Sequence, residues 1–380
     1  MQRFKIIKTG LRKTAFVIAI LLFLQDRSVY ASSAEVQNLE KEYDEVQDTI
    51  DGELSNNEFN FKEFVNDLVT GKEKFSFTDI IIKIKDGFVA EMKNNTSNLR
   101  AVIAIAIIAA IFTNLSHAFK NNQVADTGFY ITYLLLFTIL ATSFVTASTI
   151  AAGTLNSIFN FMKILMPTYI ISLSFSSGVT SAQMYYQSSL FLISFIDLIL
   201  LKLVVPMINI HFIITIANNL SKEDMLSKLS ELLSDGVKWI LKTLLAVVIG
   251  LNATQGLISP VADALKKSGL IKTAEAIPGV GNVLSGVAES VIGAGVLLKN
   301  AIGVAGVIVI AVICAVPLIK LGVITLVYRV SGAVVQPISD KRLINCISTT
   351  ARASGLLLNT VFVALVLFVL TIIIIAVSTT

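Results

Sequence analysis

From Arg100 to Thr380 this chain repeatedly presents apolar runs long enough to cross a lipid bilayer, and that limits its fold more than any motif does. The block Leu358–Val377 carries no charged residue. A hydrocarbon core of ~30 Å takes ~20 helical residues, and only helices or closed barrels satisfy every backbone polar group inside it. Strand-like alternation is missing from these runs, so they read as helices. Hydrophobic residues make up 54% and charged residues 15% of the chain. A soluble domain carries about 25% charged residues. The sequence therefore predicts an all-α polytopic membrane protein, whose work is to conduct, transport, scaffold or signal.

The N-terminus has its own pattern. Arg3, Lys5, Lys8, Arg12 and Lys13 precede a short apolar core, Ala15 to Leu24. Val29-Tyr30-Ala31 then offers small residues around a cut after Ala31. This pattern predicts a signal peptide over 1–31. An uncleaved signal anchor is the alternative, although the apolar core is short for a permanent span. Residues 32–98 follow as an acidic extracytoplasmic segment, with fifteen Asp/Glu against seven Lys/Arg. The signal peptide and the lack of a Lys/Arg excess both place it outside the cytoplasm. Leu39, Tyr43, Val46 and Ile50 recur at helical spacing, as do Phe61, Phe64, Val65 and Leu68. The segment reads either as a solvated face against the membrane or as a docking surface for a partner.

A multi-span membrane domain fills 99–380. Its first spans are expected near Ala101–Phe119, Phe129–Ala151 and Leu155–Phe175. The run Tyr185–Ala217 is too long for one upright span, and Pro206 is expected to kink or break it. Ser221-Lys-Glu-Asp224 fits a capping box. It opens an amphipathic helix with Met225, Leu226, Leu229, Leu232, Leu233 and Val237 on one face. A span near Trp239–Ile258 precedes the Gly-rich stretch Asn252–Gly306. Val304–Val330, interrupted by Pro317 and Lys320, follows it. A polar, basic loop over Gln336–Arg352 and a last span, Gly355–Val377, close the chain. The reading totals about 7–8 transmembrane helices. Cys314 and Cys346 form no disulfide framework and read as packing residues.

Two groups of residues stand out as candidates for a pathway or for packing. Gly279, Gly281, Gly286 and Gly293 crowd the Gly-rich stretch just after Pro278. Gly286, Ser290 and Ala294 repeat every fourth residue, which lets helices approach closely. Broken, small-residue backbone at membrane depth is tolerated where protein or water surrounds it, so a re-entrant segment is one reading and tight packing the other. Lys163, Asp197 and Lys202 lie inside apolar runs, as does Lys320. Charges there are costly and usually face a partner or water. Asp197 is expected to pair with Lys163 or Lys320 on a neighbouring helix.

Catalytic and cofactor signatures are missing. Gly279-x-Gly281 is followed by four residues before Gly286, which misses G-x-G-x-x-G, and no phosphate-loop motif occurs. His117 and His211 are isolated, and no paired-carboxylate, G-x-S-x-G or Cys/His arrangement is present. The expectation is no enzyme, no cofactor and no metal, and no nucleic-acid partner.

The signal peptide, the acidic segment and above all ISPVADALKKSGLIKTAEAIPGVGNVLSGVAESVIGAGVLLKNAIG resemble the stage III sporulation protein AE family of endospore-forming bacteria. The resemblance implies a multi-pass protein of the mother-cell membrane around the forespore. It implies membership of a specialised secretion or feeding channel that supports late forespore gene expression. The implied partners are other membrane and ring subunits, a secretion-type ATPase, a forespore membrane counterpart and membrane lipid. It implies no catalytic residues. A stand-alone small-solute or ion permease is the alternative. Such transporters often carry matched broken helices in two halves, and the Gly-rich stretch has no counterpart in the first half.

Overall fold

A computed structural model describes residues 44, 46–48, 61–70, scattered positions between 89 and 111, 122–177, 179–220, 225–275, 281–337 and 339–378. Over 255–275 and 281–292 it describes the backbone alone. The signal peptide, most of the acidic segment, most of the first expected span, the capping box at Ser221–Asp224 and the turn holding Pro278 and Gly279 lie outside the described residues.

The described residues form helices and no strand. We label them α1 (Phe61–Thr70), α2 (Asn122–Ser177), α3 (Val179–Ile199), a π-turn (Leu200–Val204), α4 (Val205–Leu220), α5 (Ser227–Glu275), α6 (Gly281–Val335) and α7 (Lys341–Ser378). Among the described residues, four segments are long and apolar enough to cross a membrane: Tyr130–Ser174, Ala182–Leu220, Gly293–Val335 and Lys341–Ala376. α1 buries Phe61 and Val65 and packs against α6.

The long helices run alternately up and down, as named contacts fix. Phe144 stacks on Phe212 and Ser148 donates to Asn209, so α2 and α4 are antiparallel. His211 meets Ser230, which turns α5 back along α4. Gly303 lies on Tyr169 and Gly306 on Leu165, so α6 opposes α2. Gly332 beside Ile347 and Gly306 beside Ile372 make α7 antiparallel to α6. Short connections join such antiparallel neighbours.

Three sequence expectations need correction. The second and third spans are one continuous helix, α2. Ala151-Ala152-Gly153 removes no backbone hydrogen bond, so the ladder runs on, and even Pro167 sits inside the helix. Pro206 does not break its helix either. It lacks the N–H that would reach the carbonyl of Lys202, four residues back. The preceding turn widens instead, with the Val205 N–H donating to the Leu200 carbonyl. Thirdly, the basic stretch Gln336–Arg352 is mostly not a loop. Pro337 follows the end of α6, the Arg342 N–H donates to Asp340 Oδ1 at 2.8 Å, and α7 starts at Lys341. Cys346 is therefore on a helix, buried, as is Cys314.

The core runs along α2, α6 and α7, with Leu165, Tyr169, Ile302, Ala305, Phe368 and Ile372 fully or almost fully buried. Several buried hydroxyl residues bond within their own helix: Thr325, Ser331, Thr350 and Thr360 donate to the carbonyls of Leu321, Val327, Cys346 and Leu356. On the exposed side of α2, Thr138, Thr142 and Thr146 do the same with the carbonyls of Leu134, Thr138 and Thr142.

Candidate functional site

The charged candidates divide sharply. Lys163 of α2 and Asp197 of α3 form an ion pair at 3.6 Å, and both side chains remain partly exposed, 43% and 32%. Of the two lysines the sequence offered, Asp197 takes Lys163. Lys320 instead lines a cavity of about 380 Å³ with Thr142, Ser143 and Glu91. Lys202 is exposed on the π-turn and makes no ion pair among the described residues. Lys163 and Lys202 share one local feature. Each lies four residues before a proline, so each carbonyl loses its helical donor.

The glycine candidates divide too. Gly279 is outside the described residues. Gly281 opens α6 and Gly286 lies within it. Gly293 has no described atom within 4 Å of the position its Cβ would take, so the helix contact expected there is not made among the described residues. Close approach comes later on α6. A Cβ on Gly303 would lie 3.3 Å from Tyr169, and one on Gly306 only 2.6 Å from Leu165 Cδ2. These two glycines, three apart on one face, seat α6 on α2.

Lys299 is a charge that sequence reasoning passed over. It is 0% exposed and its Nζ donates to the Ala376 carbonyl at 3.0 Å. A cation there satisfies an end carbonyl of α7 and sits at the negative end of the helix dipole. The signal was present: a lone lysine in an apolar, Gly-rich run. Nearby, Asn252 Nδ2 donates to Thr371 Oγ1 at 3.1 Å and ties α5 to α7.

A polar cavity lies at the opposite end, where α4 ends and α5 and α7 begin. It has a volume of about 720 Å³ and opens between the three helices. Its walls carry Lys238, Lys341, Arg342 and Arg352, two carboxylates (Glu231 and Asp235) and the hydroxyl and amide groups of Thr215, Ser230, Asn218 and Asn345. His211 forms part of the wall and is 5% exposed. Its Nδ1 lies 3.0 Å from both the carbonyl and the hydroxyl of Ser230; the carbonyl can only accept, which favours a proton on Nδ1. Nε2 is buried and has no hydrogen-bond partner. Thr215 bonds Ser230 side chain to side chain, and also donates to the His211 carbonyl at 2.6 Å. A second, apolar groove of about 530 Å³ lies between α2 and α4, lined by Tyr133, Phe137, Phe212 and Ile216 among others. Tyr133 closes its end by donating to the Ile216 carbonyl at 2.7 Å.

Long apolar helices with interior charges, interhelical polar bonds and small-residue contacts define a multi-span α-helical membrane protein. The family model for stage III sporulation protein AE matches residues 59–379. The chain belongs to that family, and its role is in sporulation. It is similar to the stage III sporulation protein AE of Bacillus subtilis (strain 168), with 26% identity over 292 residues, covering 77% of this chain and 72% of that protein. No solved structure matches it.

Proposed function

We propose that this chain is a membrane subunit of a channel between mother cell and forespore, seated in the mother-cell membrane that surrounds the forespore. The observation that carries this reading is the family match across 59–379. The chain contributes no catalysis. Energy comes from a secretion-type ATPase in the same assembly, and ring subunits and a forespore membrane counterpart complete the conduit. The cavity end, with Lys238, Lys341, Arg342 and Arg352, faces the mother-cell cytoplasm under the positive-inside rule. Because α7 runs away from that end, the C-terminus lies outside, with 32–98 and the Gly-rich connection between α5 and α6. In that arrangement the first segment is a cleaved signal peptide, and the connection re-enters the membrane from outside.

The same end carries an unpaired apolar surface. Met225, Leu232 and Trp239 are 75%, 68% and 67% exposed. Such a collar suits the bilayer interface or a neighbouring subunit. Co-purification of a tagged chain from sporulating cells tests the reading. Retrieval of an ATPase and ring-forming proteins is the expected result. A lone oligomer, at normal protein level, would contradict it and favour the small-solute permease.

A further inference from the structure

We propose that the cavity between α4, α5 and α7 is a binding site for the phosphate headgroup of an anionic phospholipid. Charge is the first argument. Four cationic side chains line the cavity against two carboxylates. Both carboxylates are already matched one turn away: Asp235 with Lys238 at 2.9 Å, and Glu231 with Lys228 at 3.0 Å. Lys341 and Arg352 have no carboxylate partner among the described residues. Two cations therefore face a cavity with no fixed anion of their own. α5 begins at the same wall with Ser227, where the positive end of its helix dipole adds to the potential, while α7 reaches the wall through Lys341 and is capped by Asp340.

His211 supplies an independent observation. Its ring is almost wholly buried in the cavity wall, yet Nε2 has no hydrogen-bond partner. Buried polar atoms are seldom left so. A polar group entering the cavity can bond Nε2 in either tautomer, and a hydroxyl-bearing headgroup such as that of phosphatidylglycerol carries both a donor and phosphate oxygens that accept. The volume, about 720 Å³, also suits a small ligand.

Position selects a lipid over a soluble phosphate ester. The cavity opens at the ends of membrane-spanning helices, not in a separate soluble lobe. The first turns of α5 place exposed Leu229, Leu232 and Trp239 beside it. Across α4, Phe212 and Ile216 line the apolar groove, so acyl-compatible surface flanks the polar mouth. Basic pockets between membrane helices are the known geometry for holding anionic headgroups.

The test is native mass spectrometry of the full chain released from nanodiscs holding phosphatidylglycerol in a phosphatidylcholine background. Wild type should retain phosphatidylglycerol. The K341Q/R352Q double variant should lose roughly twenty-five-fold in affinity, two charges at about a factor of five each. A control, K202Q/K242Q, removes as many charges outside the cavity and should change retention less than about twofold. S234F keeps every charge but fills the cavity, and it should lose the lipid as well; it carries the test if the double variant does not fold. Equal retention in wild type and S234F would overturn the site. So would equal losses in the double variant and the control, which would mean generic surface attraction. Displacement of the lipid by soluble glycerol phosphate at equal concentration would also overturn it, by making this a site for free phosphate esters.

Discussion

At one end of the bundle, Gly306 brings α6 onto Leu165 of α2 while Lys299 ties α6 to the last turns of α7. At the other, α4, α5 and α7 stand apart around a polar cavity, and apolar side chains of α5 are left uncovered. Both ends use charged residues at the limits of apolar helices, with opposite outcomes. Lys299 is sealed in and has a carbonyl partner. Lys341 and Arg352 stay open and unmatched by acid. A buried cation with a fixed partner serves the fold, because removing or reversing it leaves an uncompensated group. Open cations that the fold does not use are available to something else. The difference separates a structural end from an interactive one.

That contrast can be broken most forcefully at Lys299. Lys299→Glu places a carboxylate against the end carbonyls of α7, and should cost about 3–5 kcal/mol. The expected result is loss of accumulation in the membrane, read by immunoblot. A variant that accumulates and melts as wild type would mean that this end is not sealed.

Gly306→Leu comes next. Even a Cβ there meets Leu165 at 2.6 Å, so a larger side chain must part α6 from α2. Overpacking of this kind costs about 1–3 kcal/mol. The expected outcome is a lower melting temperature in detergent, with Gly293→Leu as the silent control, since its Cβ would meet no described atom. Equal melting of the two variants would remove the seam from the account.

The half-exposed pair Lys163–Asp197 should matter less for stability. Asp197→Leu is expected to change it by no more than about 1 kcal/mol, because a solvent- or lipid-facing pair returns little. Spore yield should nevertheless fall if a partner reads the charge, and the exchange Lys163→Asp with Asp197→Lys should restore the pair without restoring the partner contact. Wild-type spore yield from Asp197→Leu would assign the pair to the structural side of the comparison.

The helical class and the positions of the apolar runs were legible in the sequence, because a bilayer demands long runs and few charges. The Lys163–Asp197 pairing was legible as one of two choices, since an interior carboxylate needs a cation. Where the runs divide was not. Small residues such as Gly153 look like breaks but cost no backbone hydrogen bond, and a proline such as Pro206 can be absorbed by a π-turn. Within the Gly-rich stretch the structure shows the close approach at Gly303 and Gly306, while Gly293 meets no described atom. Composition marks a Gly-rich region, whereas a close approach depends on which face meets the neighbouring helix. The cavity was invisible for a further reason. His211, Lys238, Lys341 and Arg352 are far apart in sequence and come together only when α5 and α7 start beside the end of α4.

Sidedness is the most direct test of the contrast between the two ends. Cys314 and Cys346 are buried, so introduced cysteines report above a low background. A membrane-impermeant maleimide would be applied to protoplasts expressing Ser55→Cys, Ser227→Cys or Ser378→Cys. Labelling of Ser55→Cys and Ser378→Cys on intact protoplasts, and of Ser227→Cys only after permeabilisation, is the predicted result. Labelling of Ser227→Cys from outside, with Ser378→Cys protected, would place the cationic cavity on the wrong side of the membrane and contradict it.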